Sequence, residues 1–235
     1  MRALVVLPTY NEADNIDKVL ERVLQHPFVD VLVVDDNSQD GTQERVQRWM
    51  EKTQRVNLLK RHTKLGLGTA YVEGFKWGLE RDYDLFFEMD ADLSHDPSDI
   101  PRFVEKVEEG CDLVIGSRYT KGTISVVGWD FKRLLISKFA NFYATTILGV
   151  RQFTDITSGY RCYKREVLEK IDLKAIKSNG YAFQIEMFYK TYKLGFRVCE
   201  IPIIFYERNS GASKMSKKIA LEAAIMVWRL KLAKT

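Results

Sequence analysis

Two carboxylates stand one residue apart near the middle of the chain, where Asp90 and Asp92 follow the apolar run LFFEM, with Ser94 and His95 just beyond. At the end of a strand both carboxylates can face one pocket, and held close together they raise each other's pKa unless a cation sits between them. Oxygen ligands suit Mg²⁺ or Mn²⁺, which bind through one or two carboxylates together with phosphate oxygens of a substrate. These residues predict a divalent-metal site. The alternative is a pair of exposed turn acids, with Asp96 capping the next helix.

A second acidic cluster, Asp35 and Asp36, opens a segment of turn-forming residues that extends to Gly41. A carboxylate after a strand can accept hydrogen bonds from a ribose or a base, as acidic residues do in nucleotide-binding folds. Asp, Asn and Gly are also the residues of ordinary turns, and Asp40 is suited to cap a helix. A nucleotide contact and a plain turn both stay open for this cluster.

Two glycine-containing loops could approach phosphate groups. KLGLG at 64–68 has the spacing of neither a P-loop nor a dinucleotide-binding fingerprint, so a nucleotide contact and a plain turn stay open for it. Arg208 and Lys214 flank the loop NSGAS, where Arg offers a planar fork and Lys a point charge to phosphate oxygens. Together with a metal ion they would neutralise a departing diphosphate. The alternative is a solvated basic loop.

Alternating strand and helix patterns must position these residues within the first 116 positions. Nearly continuous apolar runs indicate strands that are buried on both faces, and stretches of helical periodicity lie between them. This alternation predicts an α/β fold with a mostly parallel sheet flanked by helices. The predicted strands are Ala3–Leu7, Val31–Val34, Val56–Leu59, Leu85–Met89 and Leu113–Ile115, and the predicted helices are Glu12–Leu24, Gly41–Lys52, Thr69–Arg81 and Ser98–Glu109.

Polar clusters fall directly after four of these strands, at 8–12, 35–38, 90–92 and 116–118. The carboxyl ends of parallel strands meet at one edge of a sheet, and ligands of such folds bind there. All four clusters should therefore lie together. Solvated loops would explain any single cluster, whereas four at the same edge favour a ligand site.

The pattern is looser beyond residue 120, where 122–128 is predicted to be a mobile loop. Because no repeat and no linker are visible, we expect one domain over residues 1–213, with a basic amphipathic helix over 214–235. Further predicted helices are Phe131–Leu148, Arg165–Ile171, Tyr181–Leu194 and Ser216–Leu232, and a further strand is Phe196–Pro202.

Composition and charge exclude several classes of protein. With 46% hydrophobic and 29% charged residues in 235, the chain can bury a core and is neither disordered nor of low complexity. The segments 121–151 and 208–234 carry net charges of +4 and +6 within a total of +4, so the remainder carries −6. An acidic body with two basic segments indicates a carboxylate-rich site beside something anionic. The acidic candidate pocket disfavours nucleic-acid binding, and the lack of a Ser-His-Asp arrangement or metal-ligand histidine spacing disfavours a hydrolase.

Cysteines and apolar runs bear on where the protein works. Three cysteines without C-x-x-C spacing predict neither a disulfide framework nor a structural zinc site, and they are typical of a reducing compartment. No apolar run approaches the ~18–20 residues that cross a bilayer, and the N-terminal run is too short for a signal peptide. We expect a cytoplasmic protein. The basic, aromatic-rich helices at 131–148 and 216–232 favour peripheral binding to a membrane, the alternative being packing on the sheet.

Seven motifs follow one another along the chain: PTYNE (8–12), DDNSQDGT (35–42), KLGLGTAY (64–71), DADLSHDP (90–97), GSRY (116–119), TDITSGYRCY (154–163) and FYERNSGASKMS (205–216). The first four resemble the inverting glycosyltransferases of family 2, and the last three narrow the resemblance to the polyprenol-phosphate (dolichol-phosphate) mannose synthases. It covers essentially the whole chain. It implies a GT-A catalytic domain and a metal-dependent, inverting transfer of mannose from GDP-mannose to a polyprenyl (dolichyl) monophosphate.

The resemblance also implies roles for individual residues. Asp92 would be the principal metal ligand beside Asp90, and Ser94 stands where some relatives have Gln, so that its shorter side chain would leave a coordination position to water. Catalytic roles are implied for Asp90, Asp92 and Arg118. The nucleotide sugar would be bound by Pro8, Tyr10, Glu12, Val34, Asp36, Asp90, Ala91, Asp92, Arg208 and Lys214, and the lipid phosphate by Arg118, Arg133 and Ser137.

This sequence departs from some relatives in two features that limit the function it is expected to have. The Q-x-x-R-W motif of processive synthases is absent, which disfavours polysaccharide elongation, and the transmembrane hairpins of some relatives are missing. The sequence leaves open whether a small membrane-anchoring subunit is a partner. Three alternatives remain: a polyprenyl-phosphate glucosyltransferase using UDP-glucose, a sugar-phosphate nucleotidyltransferase, whose usual glycine-rich N-terminal loop is absent, and a non-catalytic nucleotide-binding scaffold.

Overall fold

A computed structural model describes residues 1–176, 178–207 and 217–233 of the chain. Its strands are β1 (Ala3–Thr9), β2 (Val29–Asp35), β3 (Val56–Lys60), β4 (Leu85–Glu88), β5 (Leu113–Ser117), β6 (Val126–Val127), β7 (Arg161–Lys164), β8 (Val198–Pro202) and β9 (Phe205–Tyr206). Seven of them form a sheet in the order β3-β2-β1-β4-β7-β5-β8, and β6 pairs with β9 in a small ribbon. All neighbours in the large sheet are parallel except β7, so the predicted mostly parallel sheet is confirmed.

Helices cover both faces of the sheet. They are α1 (Ala13–Val23), α2 (Thr42–Lys52), α3 (Leu67–Leu79), α4 (Ile100–Glu108), α5 (Phe131–Leu148), α6 (Arg165–Lys170), α7 (Gly180–Lys193) and α8 (Lys217–Leu232), with short 3₁₀ turns at Pro97–Asp99, Thr120–Gly122 and Leu173–Ala175. Successive side chains of a strand point to opposite faces. Accordingly, Leu4 and Val6 belong to one apolar core, and Val5 and Leu7 belong to the other.

The strand β7 was not predicted, and it is the one antiparallel member of the large sheet. Its sequence, RCYK, is short and begins with a charged residue, so it lacks the apolar run of a buried strand. Arg161 is nevertheless fully buried. Its guanidinium donates to the carbonyl oxygens of Ile156 (2.6 Å), Ser158 (2.8 Å) and Gln184 (2.8 Å), which satisfy its buried N–H groups.

The boundaries of the predicted elements shift by a few residues where tertiary contacts intervene. α5 has the predicted bounds, whereas α3 begins at Leu67 rather than at the predicted Thr69. Gly66 has a positive φ of 97°, which lets the chain turn directly into the helix. The backbone N–H of Gly68 then donates to Asn179 Oδ1 at 3.1 Å, so a distant loop satisfies one N–H of the first helical turn.

The segment 122–128, predicted to be a mobile loop, contains β6. Its strand pairs Val126 with Phe205 and Val127 with Tyr206 in the parallel ribbon with β9. The backbone N–H of Phe205 donates to the carbonyl oxygen of Ser125 at 3.0 Å. The loop is therefore fastened to the segment that leads towards residue 208. A two-residue pairing between distant segments leaves no periodic signal in the sequence.

Cys111 and Cys199 form a disulfide bond, which corrects the prediction of no disulfide. The two cysteines are 88 residues apart in sequence, but their Cα atoms are only 6.0 Å apart because β5, which follows Cys111, pairs with β8, which contains Cys199. Cysteine count and spacing cannot reveal a pairing that the sheet topology creates. The expectation of a reducing compartment rested on unpaired cysteines, so the disulfide bond removes the support for that expectation.

We expect the Cys111→Ala, Cys199→Ala double variant to lose about 2–4 kcal/mol of unfolding free energy, because the disulfide closes a long loop in the unfolded chain. Denaturant unfolding measures the loss. The internal control is a reductant, which should lower the unfolding midpoint of the wild type and leave that of the double variant unchanged. Equal midpoints for wild type and variant under oxidising conditions would contradict the stabilising role.

Among the described residues, no helix combines the length and the apolar character needed to cross a membrane.

Candidate active site

The carboxyl ends of β1, β2, β4 and β5 lie along one edge of the sheet, as predicted. β1 and β2 are parallel and end together, with Thr9 opposite Asp35. β4 is parallel to β1, and because antiparallel β7 separates β4 from β5, these two also run in the same direction. The polar segments after these four strands therefore share one edge, which we call the polar edge.

Asp35 organises the turn after β2. Its buried carboxylate accepts hydrogen bonds from Thr9 Oγ1 (2.7 Å), from Ser38 N and Oγ (2.9 and 2.6 Å) and from Gln43 Nε2 (2.6 Å). These four bonds use the hydrogen-bonding capacity of the carboxylate within the protein. The plain-turn interpretation of this acidic cluster therefore holds for Asp35.

Asp36 forms a buried ion pair with Arg61 at the same corner, with Oδ1 of Asp36 2.8 Å from Nη1 of Arg61. Its other oxygen, Oδ2, accepts a hydrogen bond from the backbone N–H of Gly66 at 3.0 Å. The KLGLG turn is thus anchored to the residue predicted to bind the nucleoside. No motif marks Arg61, which is why the sequence did not predict its place here.

Other residues predicted to bind the nucleotide surround this corner. Pro8, in β1, is half-buried, and Tyr10 follows that strand with Lys64 Nζ 3.6 Å from the centre of its ring. Glu12 is half-buried at the start of α1. The side chain of Val34 is fully buried in the core, so a nucleotide contact could involve only its backbone.

Asp90 and Asp92 lie in a tight loop after β4, which we call the acidic loop (residues 90–95). Leu93 has a positive φ of 66°, and the backbone N–H of Ser94 donates to Asp92 Oδ1 at 3.0 Å. A left-handed conformation in a non-glycine residue marks a constrained turn. Both aspartates are half-buried, whereas Ala91 between them is packed in the core. Any contact between Ala91 and a nucleotide would therefore have to use its backbone.

The donor set of the acidic loop fits a hard divalent ion. Asp90 and Asp92 supply carboxylates, and Ser94 Oγ is buried with no hydrogen-bond partner among the described residues. Nowhere in the described ranges do three or more His, Cys, Asp or Glu side chains gather as a metal cluster. An ion held here would rely on the two carboxylates and on phosphate oxygens of a bound nucleotide, as Mg²⁺ and Mn²⁺ commonly do.

His95 fastens the acidic loop to the protein. Its Nδ1 accepts a hydrogen bond from the backbone N–H of Asp90 at 3.1 Å, and its ring stacks on Tyr160 with the centroids 4.8 Å apart. Burial lowers the pKa of His95 to about 4 against the opposing charge of Asp92, and Arg118 adds to the lowering. The imidazole is therefore neutral near pH 7 and serves as a fixed hydrogen-bond acceptor. The sequence could not reveal this role, because no neighbouring motif marks His95 as an acceptor.

Arg118, directly after β5, is held in a fixed orientation by Asp155. Its Nε and Nη2 donate to the two carboxylate oxygens at 2.7 Å each, and its backbone N–H donates to the same carboxylate at 3.0 Å. Burial lowers the pKa of Arg118, but the negative charge of Asp155 outweighs it and the pKa rises. Both side chains are almost fully buried, so the guanidinium is a permanent and preoriented charge.

Arg133 and Ser137, predicted to bind the lipid phosphate together with Arg118, lie beside it. The guanidinium carbons of Arg118 and Arg133 are 5.3 and 4.3 Å from the ring centre of Trp129. Tyr119 donates its O–H to Ser137 Oγ at 2.7 Å, and its ring centre is 5.3 Å from the guanidinium carbon of Arg118. We call these five residues the arginine cluster. The sequence did not predict the two aromatic residues that hold it together.

The acidic loop and the arginine cluster meet at Phe205. Its ring centre is 5.5 Å from that of His95 and 5.4 Å from that of Trp129. The guanidinium carbon of Arg118 lies 5.7 Å from the same ring. The acidic loop and the arginine cluster therefore lie next to each other at the polar edge.

Arg208 and Lys214, the cations predicted to bind the donor diphosphate, lie outside the described residues. The chain shortly before them is held at the acidic loop, because the backbone N–H of Tyr206 donates to the carbonyl oxygen of Ser94 at 3.1 Å. Their assignment to the diphosphate stays a prediction.

The helix α5 has one face packed on the protein and one exposed apolar face. Its packed face contributes Ala144 and Leu148 to the core. This face of α5 therefore packs on the protein, as the alternative to membrane binding predicted. The exposed residues recur every three or four positions, as one helical face requires. They are Phe131 (73% exposed), Leu135 (52%), Phe139 (68%) and Phe142 (61%), which we call the apolar stripe.

Comparison with known proteins places this chain among glycosyltransferases. The family described as Glycosyl transferase family 2 matches residues 4–172. A polyprenol monophosphomannose synthase from Mycolicibacterium smegmatis is 48% identical over 228 residues, which cover 96% of this chain and 85% of that protein. An undecaprenyl-phosphate mannosyltransferase from Micrococcus luteus is 47% identical over 234 residues, which cover 99% of this chain and 95% of that protein.

Solved structures with the same fold are more distant in sequence. Glucosyl-3-phosphoglycerate synthase from Mycobacterium tuberculosis, in complex with Mn²⁺, uridine-diphosphate-glucose and phosphoglyceric acid, matches with a TM-score of 0.74 and 18% identity. The match covers 100% of this chain and 81% of that one. A second complex of the same enzyme, with Mn²⁺, uridine-diphosphate and phosphoglyceric acid, gives a TM-score of 0.72. The likeness establishes the GT-A-like fold.

Proposed function

The chain belongs to glycosyl transferase family 2, and from this premise we propose that it transfers mannose from GDP-mannose to a polyprenyl monophosphate, releasing GDP. Support comes from two relatives, 48% and 47% identical over almost the whole chain, that are named for polyprenyl-phosphate mannosylation. The observation that carries the proposal is the meeting of the acidic loop and the arginine cluster at Phe205. A transfer from a diphosphate to a monophosphate requires adjacent sites for both phosphate groups.

The acceptor of this reaction needs no general base. A phosphate monoester has its second pKa near ~6 and is largely a dianion at pH 7, so one of its oxygens can attack the anomeric carbon directly. The new oxygen–carbon bond forms while the bond from that carbon to the diphosphate breaks, and its electron pair leaves with GDP. Attack on the face opposite the leaving group inverts the anomeric centre. Arg118, Arg133 and Ser137 would hold and orient the acceptor phosphate.

The donor side is proposed to rest on the acidic loop. Asp90 and Asp92 would hold Mg²⁺ or Mn²⁺, with Ser94 beside them. When bound, the ion supplies neutralising charge for the departing diphosphate. Arg208 and Lys214 are proposed to contact the same diphosphate. The nucleoside is proposed to lie at the corner built by Pro8, Tyr10, Glu12 and Asp36, with Val34 and Ala91 contributing only backbone.

Product analysis tests the proposal. The purified chain is incubated with GDP-mannose, Mn²⁺ or Mg²⁺ and a polyprenyl phosphate in detergent, with UDP-glucose in a parallel reaction. We expect GDP and an inverted lipid-linked mannose, and no product after chelation of the metal. Preferential use of UDP-glucose would establish the glucosyltransferase alternative. Release of pyrophosphate in a third reaction, with GTP and mannose 1-phosphate as substrates, would indicate a nucleotidyltransferase. Nucleotide binding without turnover would indicate a scaffold.

We also propose that the protein binds the cytoplasmic face of a membrane peripherally, where it would meet its lipid acceptor. Support comes from the apolar stripe of α5, which lies on the same helix as Arg133 and Ser137. Exposed aromatic residues interspersed with Lys132 and Lys138 suit the interface of an anionic bilayer. The C-terminal segment 214–235 would add to this surface: α8 contacts α5 and α7, while Trp228 and Leu232 stay exposed. A small membrane-anchoring subunit is not required by this proposal.

We expect Phe139→Asp combined with Phe142→Asp to weaken binding to phosphatidylglycerol vesicles at least about a hundredfold, since burying each of the two aromatic side chains is worth ~1.5–3 kcal/mol. Vesicle co-sedimentation measures the change. Met50→Asp is the matched control, because Met50 is an exposed apolar residue of α2, outside the apolar stripe. Unchanged vesicle binding of the double variant would contradict the membrane proposal.

A further inference from the structure

Asn141 is a polar residue of α5 whose side chain is buried and fully hydrogen-bonded. Its Nδ2 donates to Thr157 Oγ1 at 2.9 Å and to Asp155 Oδ1 at 3.2 Å, and also to the carbonyl oxygen of Ser137 at 3.2 Å. Its Oδ1 accepts the backbone N–H of Thr157 at 3.2 Å. The side chain is 4% exposed, so these four bonds satisfy a polar group that burial would otherwise penalise.

Asp155 and Thr157, the two residues of the loop after α5 that accept hydrogen bonds from Asn141, also accept hydrogen bonds from Arg118. Asp155 accepts Nε and Nη2 of Arg118, and Thr157 Oγ1 accepts Nη2 at 3.0 Å. Among the described residues, Nη1 of Arg118 makes no hydrogen bond. Asn141 therefore braces the two acceptors that fix the plane of the guanidinium, and the remaining nitrogen is left to meet a ligand.

We propose that Asn141 is a positioning residue for the acceptor phosphate, and this inference rests on the proposed function. Through Asp155 and Thr157 it ties the helix that carries Arg133 and Ser137 to the guanidinium of Arg118. The three groups proposed to bind the phosphate come from two separate elements, α5 and the loop after β5. Their relative placement therefore depends on a cross-link between those elements. Asn141 is buried beneath the arginine cluster and does not itself touch the substrate.

The alternative is that Asn141 stabilises the fold and nothing more. A buried amide with four partners would cost stability when removed, whatever its functional role. Stability alone cannot separate the two. A positioning role changes the Michaelis constant for the lipid phosphate while leaving that for the sugar donor unchanged, because the donor is proposed to bind at the acidic loop.

The test compares Asn141→Leu with Thr145→Val by steady-state kinetics and thermal unfolding. Thr145 is the matched control, because it is buried one turn further along α5. Its Oγ1 donates to the carbonyl oxygen of Asn141 at 2.8 Å, and among the described residues it makes no hydrogen bond with Asp155 or Thr157. We expect Asn141→Leu to raise the acceptor KM about tenfold, the loss typical of bonds to charged groups, with the donor KM unchanged. Thr145→Val should leave both constants unchanged.

Two further variants keep the outcome decisive if Asn141→Leu does not fold. Asn141→Ser is smaller and loses the reach to Asp155, and it should raise the acceptor KM in the same selective way. Asn141→Asp has the original shape but sets a second carboxylate beside Asp155, so it should raise the acceptor KM further. Acceptor constants that follow the unfolding midpoint in all variants, or that change together with the donor constant, would overturn the positioning role. Absence of lipid-linked mannose with the wild type would instead overturn the proposed function and this inference with it.

Discussion

Replacing Asp92 with Asn should lower the rate of mannosyl transfer about a thousandfold while the fold stays intact, since metal neutralisation of a leaving group is worth several kcal/mol. The backbone N–H of Ser94 donates to Oδ1 of Asp92 at 3.0 Å, and an amide oxygen can accept the same bond. The left-handed turn at Leu93 should therefore survive. The substitution removes the charge and leaves the shape of the acidic loop.

Asp99→Asn is the matched control for Asp92→Asn. Asp99 lies at the end of the 3₁₀ turn Pro97–Asp99 and pairs with Arg102 at 2.5 Å, outside the acidic loop. The same loss of one carboxylate charge should leave turnover unchanged there. Initial rates over a series of Mn²⁺ concentrations measure both variants, with the thermal unfolding midpoint as a check on folding. Unchanged turnover in folded Asp92→Asn would contradict the metal-binding assignment of the acidic loop.

Periodicity revealed most of the fold, because most strands and helices carry their own pattern. α5 was predicted with the bounds that it has, Phe131–Leu148. One of its faces is packed on the core and the other is exposed, which explains why the sequence was compatible both with packing on the sheet and with membrane binding. β7 was missed because its stabilisation is tertiary: this short strand, which begins with a charged residue, is held by pairing with β4 on one side and β5 on the other. The disulfide was missed for the same reason, since only the pairing of β5 with β8 brings its cysteines together.

The candidate site was predictable in its charged members and not in their supports. Asp90 and Asp92 follow a strand, so the rule for parallel sheets located them. Nothing local marks His95 as the acceptor for the backbone of the acidic loop, or Trp129 as the ring shared by two arginines. For Val34 the sequence did not show that the side chain points into the core, which leaves only its backbone for the predicted nucleotide contact.

The two arginines of the cluster should respond differently to substitution. Arg118→Gln should cost about 3–5 kcal/mol of unfolding free energy, because it leaves Asp155 buried without its charge partner. Arg133 leaves 26% of its side chain exposed and pairs with Glu207 at 2.7 Å, itself 42% exposed. A solvent-accessible pair of this kind contributes only about 0–1 kcal/mol. Arg133→Ala should therefore fold as the wild type does and yet raise the acceptor KM selectively.

Arg118→Lys separates the function of this arginine from its stabilising role. Lysine keeps the positive charge beside Asp155 but cannot make the bidentate contact that orients the guanidinium, so the charge is present in the wrong geometry. We expect the unfolding free energy of Arg118→Lys to recover much of the loss seen in Arg118→Gln. The rate of mannosyl transfer should stay reduced by about a hundredfold or more, because losing one preorganised contact to a reacting charge typically costs that much. Denaturant unfolding and product formation measure the two quantities on the same samples. If activity recovered in proportion to stability across the two Arg118 variants, Arg118 would be a structural residue and the acceptor phosphate would have to be bound elsewhere.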